Sequence, residues 1–253
     1  MSMQAPVLCK LLQWDSEFFG FRIARVCKDT LTPDQVEQVD GWCRDNQVRC
    51  LYFLARADDS QTVKAVSQHR FLQVDIRITF ECILSQAPPP EQSDNPDDIR
   101  IRPVQPDDVP RLQVIARESH TDTRFFADSN FPRQKAEELY STWITQDALG
   151  KAQAVQVAVS PMGQPEGYIS WHFDPSRLSG QISLVGVSAE SRGKGIGQKL
   201  VRAVLGWFRT RGASKITVVT QGKNQTAQRL YQKCGFLSRD LQLWYHKWYP
   251  PSE

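Results

Sequence analysis

Apolar and polar residues alternate with a period of two through FRIARVC (21–27) and VDIRITFECIL (74–84), the pattern of strands with two unlike faces. LYFLA (51–55) is an unbroken apolar run and reads as a buried strand. Between these, Thr32-Pro33-Asp34 sets an N-cap and a first-position proline ahead of a helix. Residues 60–69 read as a second helix. Beyond residue 98, IRIRPV (99–104), AVQVAV (154–159), GYISWHF (167–173), ISLVGV (182–187), KITVVT (215–220) and DLQLWYHKW (240–248) predict strands. Helices are expected from Asp107/Asp108 to about Arg117, over 133–145, directly after Gly197, and over 224–233. The mixture predicts an α/β chain with a mixed sheet.

The stretch SQAPPPEQSDNPDD (85–98) holds four prolines and four acids with no base. Such a segment has too little apolar surface to offset the entropy of ordering. It predicts a linker between a smaller domain, 1–84, and a larger one, 99–253. The charges divide at the same place. Residues 1–84 carry 10 Lys/Arg and 11 Asp/Glu, whereas residues 99–253 carry 21 and 13. The overall charge of +3 is too small to point to nucleic acid. The basic excess of the C-terminal part suits a small polyanion instead.

No run of 18 apolar residues occurs, so no membrane span is expected. The start, MSMQAPVLCKLLQWDSEFFG, lacks a long apolar core and reads as part of the fold, not as a signal peptide. Cys9, Cys27, Cys43, Cys50, Cys82 and Cys234 form no C-x-x-C pair. Free buried thiols in a cytoplasmic protein are the expectation. The four histidines are scattered, and no metal site is expected.

One internal echo links the two parts. The segment from Leu51 (LYFLARADDSQTVKAVSQHRFLQVDIRITFE) aligns with that from Lys215 (KITVVTQGKNQTAQRLYQKCGFLSRDLQLWYH) when one gap is placed opposite Cys234 or Gly235. In that register Ser67 stands opposite Tyr231. The N-terminal domain then reads as a degenerate half-copy of the C-terminal one, without a glycine loop of its own.

That loop, SAESRGKGIGQKL (188–200), poses the chemical question. A Walker loop would need Ser or Thr after Gly-Lys. A dinucleotide fingerprint would need its third glycine one place later and an acid about 20 residues on. What fits is [Q/R]-x-x-G-x-[G/A], filled by Arg192, Gly195 and Gly197. Missing Cβ atoms let successive amides turn toward one oxyanion. The helix that starts there adds unbonded N–H groups and a positive dipole end. Ile196, Leu200, Val201, Val204, Leu205 and Phe208 would form its buried face.

About 30 residues downstream lies NQTAQRLYQKCGF (224–236). VGV-x4-RGKGIG followed by N-x-x-A-x-x-L-Y-x-x-x-G-F resembles motifs A and B of the GCN5-related N-acetyltransferase (GNAT) superfamily, over a region from about Ile99 to the end. The resemblance implies a GNAT fold with a mixed, mostly antiparallel central sheet, preceded by the smaller α/β domain. It implies acetyl-CoA as cosubstrate and no metal. Val185, Gly186 and Val187 would pair with the pantetheine arm. Arg192, Gly193, Lys194, Gly195, Ile196 and Gly197 would hold the diphosphate through their amides. Asn224 would bond the cofactor near its arm. Tyr231 would protonate the leaving thiolate in a direct ternary complex, and an amide near Val187 would stabilise the oxyanion.

A softer resemblance spans nearly the whole chain. LLQWDSEFFGFRIARV and SHTDTRFFADSNFPRQKAEELYSTWI look like the TDP-fucosamine acetyltransferase group, which acetylates the amino group of a dTDP-linked amino-deoxy sugar. Arg124, Phe125 and Phe126 would then lie on the acceptor side, with Arg124 facing a phosphate. Trp171 and His172 are further acceptor candidates, although strand alternation turns them to opposite faces. Trp14, Phe18 and Phe19 read as core. Asp75 is the candidate general base, with Glu118, His120, His172 or a water chain as alternatives. Another amine, such as a peptide N-terminus, polyamine or drug, and a non-catalytic acyl-CoA-binding module stay open, as does a homodimer. Neither a nucleic-acid nor a membrane partner is expected.

Overall fold

A computed structural model describes residues 8–87 and 99–251. Residues 1–7 of the start, and 88–98 of the Pro/acid segment, lie outside the described residues. The chain runs through β1 (Cys9–Leu11), α1 (Gln13–Phe19), β2 (Ile23–Val26), α2 (Pro33–Asp45), β3 (Cys50–Arg56), α3 (Ser60–Gln68) and β4 (Leu72–Ile83). After residue 99 come β5 (Arg100–Pro103), α4 (Val109–Ser119), α5 (Arg124–Ala127), α6 (Arg133–Gln146), β6 (Ala154–Val159), β7 (Pro165–Asp174) and β8 (Ser179–Val187). The last elements are α7 (Ile196–Thr210), β9 (Lys215–Gln221), α8 (Gln225–Lys233) and β10 (Leu237–Trp248).

Two compact units result. Among the described residues one comprises 8–77, 124–135 and 241–251, and the other 78–87, 99–123 and 136–240. The units follow long-range contacts, so the linear division at 84 and 99 does not describe them.

In the first unit β2 lies antiparallel to β1 and parallel to β3, and β3 pairs antiparallel with β10. Thr32 caps α2 in a capping box with Gln35, and Pro33 occupies the first turn as expected. Val36, Val39 and Cys43 of α2 join Leu51, Phe53, Ala55, Val66 and Tyr245 in one core. A second group of rings, Phe19, Phe21, Phe125, Phe131, Tyr52 and Trp248, packs edge and face at 4.8–6.3 Å. Trp14 and Phe18 stack at 5.0 Å beside it.

In the second unit β5, β6, β7 and β8 run antiparallel in sequence, and β8 is parallel to β9. The sheet is thus mixed and mostly antiparallel. The six expected apolar residues of α7 are all buried. They press on Ile169, Trp171, Ile182, Ile216 and Val218. Gly180 allows this closeness, because a Cβ there would lie 2.3 Å from the Phe208 ring.

The internal echo is sharper in three dimensions than in one. The strand–helix–strand runs β3-α3-β4 and β9-α8-β10 have matching lengths of 7, 9 and 12 residues. Their connections also match, so no gap is needed. The sequence register is therefore corrected by one residue over the first strand and helix, and Val66, not Ser67, stands opposite Tyr231. The N-caps then coincide: Asp59 accepts from the Thr62 amide and Asn224 from the Ala227 amide. A parallel strand and helix precede each run, β2-α2 in one and β8-α7 in the other. They differ in one respect. β2 ends at Val26, just past its pairing with β3, whereas β8 runs five residues beyond its last pair with β9, Ile182↔Val218.

All six cysteines are free thiols, and only Cys27 is exposed. No helix among the described residues is long and apolar enough to cross a membrane.

Candidate active site

The free extension of β8 makes the site. Past an irregularity at Ser183, the strand from Leu184 to Val187 stays paired with β7 on one side and has left β9 on the other. A cavity of about 500 Å³ opens there. Val185 and Val187 form one wall, Asn224, Ala227, Leu230 and Tyr231 of the α8 region another, and Arg192, Gly193 and Gly195 to Gln198 the mouth.

The glycines are placed as the turn demands. Gly193 and Gly195 both have φ of +79°, which a side chain would strain. Gly197 has a different role: a Cβ there would meet Leu230 at 3.1 Å, so its bareness lets α7 and α8 approach. Gly195 is the N-cap and offers no capping side chain. The first intrahelical bond runs from Lys199 N to Gly195 O. The amides of Ile196, Gly197 and Gln198 therefore have no partner within the helix. Arg192, Arg229 and Lys233 add positive charge around the cavity, while Lys194 is exposed and outside its lining.

Side chains brace the turn before the loop. Glu166 accepts from Ser188 Oγ at 2.9 Å and Ser191 Oγ at 2.6 Å. The Val187 carbonyl accepts from Ser119 Oγ at 3.2 Å and Arg192 Nε at 3.3 Å. Two donors fill that carbonyl's lone pairs. In a strand the N–H and C=O of one residue point the same way, so the Val187 amide faces away from β7 as well. Arg192 also donates to the Glu118 carbonyl at 3.0 Å. Its guanidinium is a brace, which leaves the anion-holding task to main-chain amides.

Tyr231 is 5% exposed and lines the cavity. Burial, and then the neighbouring Cys234, push its phenol well above the ordinary value. It keeps its proton at neutral pH. Asn224 spends its Oδ1 on the α8 cap, so only its NH₂ is left for a ligand. Glu118, Ser119, Thr121 and Asp122, from the end of α4 and the turn after it, also line the cavity. The sequence reading named only Glu118 among them. Glu166 and Ser119 were missed, because polar loop residues carry no periodic signal.

Beside this wall sits His120. Its Nε2 is 3.1 Å from the Tyr168 hydroxyl and its ring stacks on Tyr140 at 4.3 Å. Burial and the Arg192 charge push it down to about 4. A neutral imidazole this acidic is a weak base at pH 7.

The acceptor candidates are scattered. Trp171 is 1% exposed and packs against Trp207 and Phe208. The structure places it in the core under α7, so as an acceptor residue it is corrected. His172 is exposed on the other face of β7. Phe125 is 3% exposed within the aromatic group of the first unit. Phe126 is half-buried and lies under Arg133 at 4.6 Å. Asp75 lies on β4 in the first unit, half-buried, and its carboxylate accepts from the Ile76 amide at 2.8 Å.

Arg124 is bound into a polar chain in the first unit. Its Nη1 is 2.8 Å from His246 Nε2, and His246 Nδ1 is 2.7 Å from Asp128 Oδ2. Arginine can only donate, so Nε2 accepts and the imidazole proton sits on Nδ1, facing Asp128. Burial is the main cause that pushes His246 down to about 4. Hydrogen bonds from His246, Trp248 and Asn130 outweigh burial at Asp128 and hold its carboxyl at about 2.

These values predict acid lability. Between the unfolded histidine value near 6.5 and the folded value the unfolded chain binds the extra proton. Stability is thus full above about 6.5 and declines as pH falls toward 4. The loss from His246 between pH 7 and 4.5 is roughly 2–3 kcal/mol. Urea unfolding at both pH values checks this, and His246→Gln should about halve the dependence, because His120 is pushed down to a similar value. An unchanged pH slope in that variant would remove His246 as its source.

No group of three or more His, Cys, Asp or Glu among the described residues could hold a metal ion.

The parallel pair β8 and β9 parts over the N-terminus of α7 within a mostly antiparallel sheet. Residues 115–236 match the acetyltransferase (GNAT) family, and the chain carries a GNAT domain. The spore coat polysaccharide biosynthesis protein SpsD of Bacillus subtilis is 28% identical over 167 residues, 66% of this chain and 57% of that protein. The dTDP-fucosamine acetyltransferase of Escherichia coli O6:H1 is 23% identical over 241 residues, 93% of this chain and 96% of that protein. A GCN5-related N-acetyltransferase from Sphaerobacter thermophilus superposes with a TM-score of 0.68 at 18% identity, over 97% of this chain and 78% of that one. That likeness concerns the fold. The chain thus spans little more than half of SpsD.

Proposed function

We propose that the chain is an acetyl-CoA-dependent N-acetyltransferase whose acceptor is the amino group of a nucleotide-linked amino-deoxy sugar. One observation carries the transfer reaction: the open edge of β8, the three unbonded amides of α7 and the protonated Tyr231 border the same cavity. The donor fits these groups. Bare amides at a helix start suit a diphosphate, and an unpaired strand edge suits an amide-bearing arm. Bound there, acetyl-CoA would supply an activated acyl thioester.

The residues then divide the work. The amides of Gly193 to Gln198 hold and aim the diphosphate end. The Val187 amide donates to the oxygen on which charge develops. Tyr231 holds the proton that the departing sulfur needs. Asp75 is proposed to accept the amine proton, with Glu118, which lines the cavity, as its competitor.

The sugar acceptor is supported by the whole-length similarity to the E. coli enzyme and by SpsD. A cytoplasmic location follows from a nucleotide-sugar substrate and belongs to the same proposal. Calorimetry should detect CoA and acetyl-CoA binding, and turnover should be highest with a dTDP-amino sugar in a panel that includes a peptide N-terminus and a polyamine. Asp75→Asn should lower kcat about 10²–10⁴-fold, while Glu118→Gln keeps most of it. The reverse ranking transfers the base role to Glu118. CoA binding with no acceptor turned over would favour a binding module.

A further inference from the structure

The edge of β8 that borders the cavity starts at a bulge, and the bulge has a buried support. Trp171 pairs with Ile182 and Ser170 with Leu184, so Ser183 is one extra residue on β8. The last pair between β8 and β9, Ile182↔Val218, lies directly before it. One extra residue turns every later side chain to the other face. The core under α7 records this turn. Ile182 belongs to that core, and Val185 and Val187 pack against it, where plain alternation would have sent Leu184 and Gly186. A chain of hydrogen bonds meets the strand at this point. The Leu184 amide, the first after Ser183, donates to Ser170 Oγ at 3.2 Å, and Ser170 Oγ donates to Asp147 Oδ2 at 2.6 Å. Ser170 is 0% exposed and Asp147 is 8% exposed. Asp147 opens the helical turn Asp147–Lys151 that follows α6, and all of these residues lie in the second unit. Neither Ser170 nor Asp147 lines the cavity.

We infer that Ser170 and Asp147 are positioning residues for the cosubstrate: the pair holds the Ser183 bulge and so decides which face and which amides of β8 meet acyl-CoA. The inference rests on the acetyl-CoA reading for the ligand, and on the bulge and its hydrogen bonds for the device. A hydroxyl has one proton and two lone pairs. With the proton committed to Asp147, the lone pairs are left for the Leu184 amide. The carboxylate orients the hydroxyl, and the hydroxyl pins the strand. The pin matters because β8 has two registers open to it beyond Ile182. With the bulge, Val185 and Val187 face the cavity and their N–H and C=O groups point away from β7. Without it, Leu184 and Gly186 would face the cavity, and the amides of Val185 and Val187 would be spent in the ladder with β7. A strand that samples both registers binds ligand in only one of them, and the apparent affinity falls with the competent fraction.

The test measures CoA affinity by calorimetry and Tm by thermal unfolding, on the full chain and its variants. Ser170→Ala and Asp147→Ala should each weaken CoA binding about three- to tenfold, the worth of one hydrogen bond. Asp147→Asn keeps an oxygen that accepts from Ser170 and should stay within about twofold of the parent. The double alanine variant should bind no more weakly than Ser170→Ala, because both changes break the same chain. Ser170→Cys keeps the shape of the side chain with a weaker hydrogen-bonding group. It should also lower the affinity, and it replaces Ser170→Ala if that variant does not fold. A lowered Tm with unchanged CoA affinity would show a purely structural role and overturn the inference. So would an equal loss in Asp147→Asn and Asp147→Ala, which would make the charge and not the bond responsible, or additive losses in the double variant. No CoA binding by the parent defeats the acetyl-CoA reading and the inference with it, whereas parent binding that every variant retains defeats the inference alone.

Discussion

Tyr231→Phe is expected to lower kcat about 10²–10⁴-fold while the affinity for CoA changes little. The change removes one oxygen from a side chain that is 5% exposed and that keeps its ring contacts with Phe80 and Phe236, at 6.1 and 5.9 Å. Packing is therefore conserved. What disappears is a proton held by burial in a cavity wall that also contains the free edge of β8. A leaving thiolate without a donor must take its proton from water, and the transition state then carries more charge. The variant should show normal thermal unfolding and normal calorimetric CoA binding, with loss confined to turnover. Rates within a factor of three of the parent would remove the phenol from the mechanism. A matching loss of CoA affinity would make it a binding residue.

What could be read in advance was whatever a local rule fixes. The glycine loop, the amphipathic α7 and the capped α2 each follow from spacing and capping chemistry, and all three stand where the residues placed them. The short elements were not legible. α1 starts after Leu12, which offers no capping side chain, and β1 and α5 span only three and four residues. Trp171 shows a different limit. Alternation separates it from His172, but five consecutive residues of β7 are buried, so both faces look alike in sequence. Nor can composition reveal that 124–135 and 241–251 join the first unit, because proline and acid content report local chain entropy and not distant contacts. The echo between the two runs was visible but placed one residue off. Chance-level identities set that alignment, whereas matching element lengths set the true one. The same comparison explains why, among the described residues, only one of the two runs borders the candidate site. Where β2 stops with its pairing, β8 continues past it, and the opening exists only in the second case.

Gly186→Ala is expected to cost stability and cofactor binding together. A Cβ at this position would stand 2.6, 2.8 and 2.9 Å from Cε1, Cζ and the hydroxyl oxygen of Tyr168. Tyr168 is the cross-strand partner of Gly186, is fully buried, and has its hydroxyl 3.1 Å from His120. The ring has no space into which to retreat, so strand or ring must shift. Overpacking of this kind costs about 1–3 kcal/mol, which for a chain of this size lowers Tm by about 2–4 °C per kcal/mol. Gly186 also sits between Val185 and Val187, so a shifted strand moves the cavity wall, and CoA binding should weaken together with stability. Gly193→Ala provides the contrast. There a Cβ meets nothing within 4 Å, and the only strain is the +79° φ, so it should disturb the loop amides and CoA affinity with a smaller fall in Tm. Combining Gly186→Ala with Tyr168→Leu removes the clashing ring atoms. The double variant should lose less stability than the two single losses added together, as expected for residues in contact. Simple additivity in thermal or urea unfolding would mean that the ring does not account for the bare backbone at 186.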